Sequence, residues 1–188
     1  MPWVDQSKSD VEGDQVGRDK YDIHTMNVFP KGHQLTVVDK LLICLQQEMS
    51  SNEKCPDLIA KLQRYHGGLV VDGVIGLEAK LNHSNRAADI PYAKDTKEQF
   101  VMLLERWSYY ASAQEIFVYL MARAEHKFNT EIRPLLPTAS EVLINQKFND
   151  LIVEPTVSDC GATVFSIDNN TAMGMVYWLA EQCFVRWH

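Results

Sequence analysis

Pro56-Asp57, followed at a distance by Glu78-Ala79-Lys80, satisfies the loose Pro-Asp, Asp/Glu-x-Lys spacing of magnesium-dependent nucleases. In that chemistry Asp57 or Asp72 and Glu78 would hold the cation, and Lys80 would orient the attacking water. The reaction requires the second element on a strand beside the first carboxylate. "LEAKL" instead reads as helical and Pro56-Asp57 as a helix start, so a small nuclease stands as an alternative reading.

Other reactive constellations are weaker. The histidines His24, His33, His66, His83, His126 and His188 form no i, i+4 pair and no HExxH. Cys44, Cys55, Cys160 and Cys183 are scattered, without metal-ligand spacing, and read as small buried hydrophobes in a reducing compartment. No serine occupies a Gly-x-Ser-x-Gly turn, and "GDQVGRDK" is neither a Walker loop nor a dinucleotide fingerprint. The expectation is a chain that is not an enzyme and needs neither cofactor nor metal.

Aromatic and basic residues offer contact surface instead. Trp107, Tyr109 and Tyr110, with Phe117 and Tyr119 following, read chiefly as core, with a partner surface built on Trp107 and Tyr110 as the second option. Arg18 and Lys20, with Lys31, form a local basic patch. The ending "GMVYWLAEQCFVRWH" admits four roles: membrane element, ligand site, core or partner surface. Glu181, Gln182 and Arg186 interrupt it too closely for a span, which needs roughly 20 apolar residues. Arg186 and Trp187 lie past the periodic stretch, so they either pin the C-terminus to the core or face a partner.

The elements that must position these residues are mostly helical. "LTVVDKLLICLQQEM" places Val38, Leu41, Leu42, Leu45 and Met49 on one face. "CPDLIAKLQRYHGG" starts on Pro56 and stops at Gly67-Gly68, a helix of about three turns. Residues 69–76 read as a short extended piece or as the entry to a helix over Leu77 to Leu81. Capping boxes at Asp95/Glu98, Ser112/Glu115 and Thr138/Glu141 open three further helices. Pro134 and Pro137 end the second of these; Ile144, Phe148 and Leu151 share a face of the third. The last helix runs from about Thr171 through Cys183. The fold expected is mainly α, a compact bundle of about six to seven helices behind a short extended strip.

Composition agrees. The 188 residues are 46% hydrophobic and 23% charged, enough for one real core, and divide into an N-terminal extension (1–34) and a helical domain (35–188). A net charge of -7 argues against wrapping nucleic acid. The acidic start lacks the layout of a signal peptide, so a cytoplasmic protein is expected. The strip "GDQVGRDKYDI" is too short for a core of its own; it adds to a partner, adds to its own copies, or stays without fixed structure.

Several segments fall in a familiar order: "LIAKLQRYHG", "GLEAKL", "KEQFVMLLERWSYYASAQEIFVYLMARAEHKF", "INQKFNDLIVEP" and "GMVYWLAEQCFVRW". They resemble the C-terminal domain of ABC-three-component conflict systems, the broad group that includes Lamassu-type anti-phage defence. The ending carries the likeness through Gly174, Met175, Tyr177, Leu179, Cys183, Arg186 and Trp187, joined by Gly76 to Leu81 and Ser112 to Ile116. The strip at 13–23 is similar to Gly-Asp-Val-x-Gly-Arg-Asp-Lys strips ahead of conflict-system domains. The resemblance implies a non-enzymatic adaptor that couples an effector to an SMC-like or other ABC ATPase, touching nucleic acid only through the complex. Homo-oligomerisation through the strip is a further implication. With about 34 residues ahead of the first helix, too few for an enzyme, a stand-alone adaptor or one part of a split arrangement is expected. A helical domain without a dedicated partner is the remaining alternative.

Overall fold

The computed structural model describes residues 34–55, 57–68 and 73–187. Arg18, Lys20, Pro56 and Asp72, together with the first half of the 69–76 segment, lie outside them. The described elements are α1 (Val37–Ser51), α2 (Ala60–His66), α3 (Leu77–His83), α4 (Ile90–Trp107), α5 (Ala111–Lys127), α6 (Glu141–Phe148), α7 (Glu154–Cys160) and α8 (Asn169–Glu181). A π turn, Asn149–Val153, joins α6 to α7 without a break, so seven helical rods result and the described residues contain no strand. The expected mainly α bundle is observed.

Local chemistry explains where the rods begin. Thr36 caps α1 through a capping box: its hydroxyl accepts from Asp39 N–H and its own N–H donates to the Asp39 carboxylate. Asp168 caps α8 by accepting from the Thr171 N–H and hydroxyl. That contact holds its carboxyl below the usual range. The three expected boxes are corrected. Helix α4 starts earlier, at Ile90, because Pro91 has the φ of a first helical turn. Asp95 therefore lies inside it and accepts from Gln99. At α5 the cap is tertiary: the Glu48 carboxylate of α1 accepts from both the N–H and the hydroxyl of Ser112. At α6 Ser140, rather than Thr138, accepts from Leu143 N–H. Helix α2 is shorter than expected, beginning at Ala60, with Leu58 and Ile59 half-buried ahead of it.

Two π turns, Phe128–Ile132 and Asn149–Val153, each stand just before a proline, Pro134 and Pro155. A proline lacks the N–H for the i−4 carbonyl and its ring crowds that carbonyl, and a widened turn relieves both. The extra residue in the turn also rotates the buried face. Ile144 and Phe148 are buried as expected, but Ile152 and Val153 succeed them while Leu151 is half-buried.

The bundle is organised around α8, whose residues Met175 to Ala180 are all buried. Its closest partner is α4, with α3, α5 and α7 around it; α1 and α2 pack on α5. Gly174 sets that closeness: a Cβ built there would lie 2.0 Å from the Thr96 carbonyl oxygen and 3.2 Å from the Phe100 Cβ. Only glycine lets the two backbones meet at this point.

Candidate functional site

Helix geometry separates Glu78 from Lys80, the two described members of the Glu-x-Lys element. On α3, Glu78 and Lys80 stand two residues apart, a spacing that shares a face on a strand but diverges on a helix. Glu78 is exposed and pairs with Lys94 of α4 at 2.6 Å. Lys80 is fully buried, its ammonium nitrogen 2.6 Å from the Ala180 carbonyl oxygen and 3.0 Å from Cys183 Sγ. Among the described residues no group of three or more His, Cys, Asp or Glu side chains is placed to hold a metal ion. No described helix is long and apolar enough to cross a membrane.

The same contacts join two helix ends. Lys80 donates to a carbonyl in the last turn of α8, where the backbone dipole is negative. Glu181, at the end of α8, accepts from Leu77 N–H at the start of α3 (3.1 Å) and from Lys97 of α4 (3.2 Å). Gly76, at φ +84°, brings the chain into α3 beside the Glu181 carboxylate. Helices α3 and α8 thus cap each other with side chains of opposite charge.

The aromatic candidates separate. Trp107 is buried, packed edge-on to Phe165 at 5.2 Å, and Phe117 is buried beside it. Tyr110 is half-buried against Trp107, whereas Tyr109 is 56% exposed with Lys54 over its ring. Cys160 and Cys183 are buried as expected, Cys55 is partly so, and Cys44 is exposed. Cys44 was misread because α1 presents it away from the Val38, Leu42 and Leu45 face.

Past α8 the chain folds back over the bundle. Val185 and Trp187 are buried, and the Trp187 ring packs against Phe148 at 5.7 Å and Tyr177 at 5.8 Å. Arg86 lies over the same ring at 5.6 Å. Of the two roles open for the ending, Trp187 takes the pin. Arg186 is half-buried, with its Nε directed at the Cys183 carbonyl.

Arg86 is the residue that sequence reasoning missed. It sits in the irregular "SNRAAD" stretch, where no periodicity marks it, yet its side chain is 8% exposed. It donates to Asp89 at 3.1 Å and to the Asn145 side-chain oxygen, and lies 3.4 Å from Glu141. Beside it opens a cavity of about 260 Å³, lined also by Tyr92, Asn149, Asn169 and Tyr177. Burial, then the Asp89 charge, pushes the Tyr177 phenol up to about 12. Burial also raises Tyr92, whose hydroxyl donates to Asn170. With Arg86 already matched by Asp89 and Glu141, the lining offers carboxamides and protonated phenols, groups suited to hydrogen-bonding a neutral polar molecule.

The fold and this interior define a mainly helical domain in which buried charge and the C-terminal aromatic close the chain onto its own core. Residues 76–187 match the family model described as C-terminal domain 9 of the ABC-three component (ABC-3C) systems, and the chain belongs to that family. It is therefore a component of such a system and has partners within it. No curated protein and no solved structure matches the chain.

Proposed function

We propose that this chain is a non-enzymatic adaptor of an anti-phage defence complex, coupling an SMC-like or other ABC ATPase to an effector in the cytoplasm. The family match across residues 76–187 carries the reading, since a domain of a three-component system works through its companions.

The surface that meets the ATPase is the outer stripe of α4. Met102 is 56% exposed there, about two turns before the equally exposed Tyr109 just past the helix end, with Glu98 and Glu105 on the same side. Apolar anchors framed by charge are the composition of a binding patch, and tyrosine is among the residues enriched at its centre. The strip around Arg18 and Lys20 supplies a second contact in this reading, to a partner or to another copy.

Co-expression of the tagged full chain with the ABC ATPase encoded beside it tests the proposal. The two co-purify, and Met102→Asp with Tyr109→Asp weakens the association about tenfold or more, the effect of losing a central anchor of 1.4 kcal/mol or above. Both side chains are exposed, so the melting temperature stays unchanged. A wild-type chain that ignores the adjacent ATPase refutes the reading.

A further inference from the structure

The Lys80 amine and the Cys183 thiol form a pair that none of the contacts described above requires to be reactive. Lys80 is fully buried and Cys183 is 8% exposed, and their Nζ and Sγ atoms are 3.0 Å apart. One comes from the middle of α3, the other from the turn after α8, far apart in sequence. Among the described residues Lys80 has no carboxylate partner: the nearby Glu181 carboxylate is occupied by Leu77 N–H and Lys97. What faces the amine is one carbonyl and one sulfur.

No other described cysteine has such a neighbour. Cys55 Sγ points to the Asp57 carbonyl, and Cys44 is exposed on α1. Cys160 is buried beside Asp159, where burial and that charge push its thiol up to about 12 and suppress the thiolate that oxidants attack.

We propose that Lys80 and Cys183 are a modification site, where a peroxide oxidant joins Nζ to Sγ through a single oxygen atom. A first hydrogen peroxide converts the thiol to a sulfenic acid and leaves as water. The Lys80 ammonium gives one proton to solvent, and a second peroxide removes one hydrogen from the sulfenic hydroxyl and one from the amine and leaves as two waters, so that the N–O bond closes. One peroxide oxygen remains in the bridge; sulfur and nitrogen are oxidised and both peroxides are reduced. An inserted oxygen demands less closing of a packed 3.0 Å pair than a direct nitrogen–sulfur bond would. The bridge makes the mutual capping of α3 and α8 covalent.

The reduced full-length chain, treated with hydrogen peroxide under native conditions and digested with trypsin, tests this by mass spectrometry. The peptides holding Lys80 and Cys183 are expected as one species, heavier than their sum by one oxygen less two hydrogens. Cleavage after Lys80 is lost, and excess dithiothreitol restores both free peptides. Cys160→Ser keeps the cross-link and Cys183→Ser abolishes it; the wild-type digest alone decides the matter should Cys183→Ser not fold. Cys183 advancing to sulfinic acid with Lys80 still cleavable overturns the proposal. So does a cross-link lacking the oxygen, or oxidation confined to Cys44.

Discussion

Gly174→Ala adds one methyl group where α8 meets α4. In the present packing that carbon would sit 2.0 Å from the Thr96 carbonyl oxygen and 2.6 Å from its carbonyl carbon, against the 3.4–4 Å of ordinary contact. Thr96 is fully buried inside α4, so the obstructing atoms are helical backbone and cannot rotate away. The helices must separate by more than an ångström. A gap of about 0.5–1 Å already forfeits a quarter to a half of each dispersion contact, and the loss extends along the buried side chains of α8. Overpacking of this kind costs about 1–3 kcal/mol, occasionally more. The better helix propensity of alanine returns up to about 1 kcal/mol. Because backbone is struck, the net expectation lies at the upper end, about 3 kcal/mol, a large part of a typical 5–15 kcal/mol stability. Urea unfolding of wild type and variant, followed by circular dichroism, reads this as a lowered midpoint at similar slope. Gly73→Ala is the comparison: φ is +80° there but nothing lies within 4 Å, so only backbone strain is added. A Gly174→Ala midpoint equal to or above wild type refutes the close-approach argument.

Three other outcomes follow from buried polar contacts. Gln114 is fully buried, accepts from Ile59 N–H and donates to the Asp57 and Ser108 carbonyls; Gln114→Leu leaves these groups unmatched and costs about 3 kcal/mol in chemical denaturation. Glu48→Ala removes the cap of α5 and costs about 1–2 kcal/mol by thermal unfolding, with Ser112→Ala losing less because its N–H still meets Glu48. Alkali destabilises the fold. Tyr65 and Tyr177 are held to about 12, and Cys160 likewise, chiefly by burial, so the unfolded chain releases these protons first. Stability is therefore full below about pH 9 and falls as pH rises towards 12. Each group contributes at most about 1.4 kcal/mol per pH unit, so the two phenols remove up to ~3 kcal/mol between pH 10 and 11. Denaturation midpoints measured from pH 8 to 11 check the slope, and a flat profile contradicts it.

Helix existence was legible wherever an apolar face repeated, as Val38, Leu42 and Leu45 on α1 show. Helix starts were less legible, because a Ser or Asp followed three residues later by Glu is also a common helix-surface pattern. Asp95 and Glu98 satisfy it within α4, where Pro91 had already set the beginning. The capping of α5 could not be read locally at all, since its carboxylate comes from α1. The candidate site was legible in part. The ending and the "GLEAKL" segment stood out as motifs, and both proved to lie at one junction. Arg86, in a stretch without periodicity, gave no signal.

Composition and periodicity by themselves determined a helical protein with an apolar last helix, because burial of one face is written into the spacing of apolar residues. They also ruled out a membrane span at the ending, because charge interrupts it. Only the tertiary structure decided what the polar residues do. Lys80 became a buried cap for α8, and Trp187 lies under Arg86 in the core rather than on the surface. The physical reason is that a charged or aromatic side chain gains its role from the group it meets, and these partners lie far away in the chain.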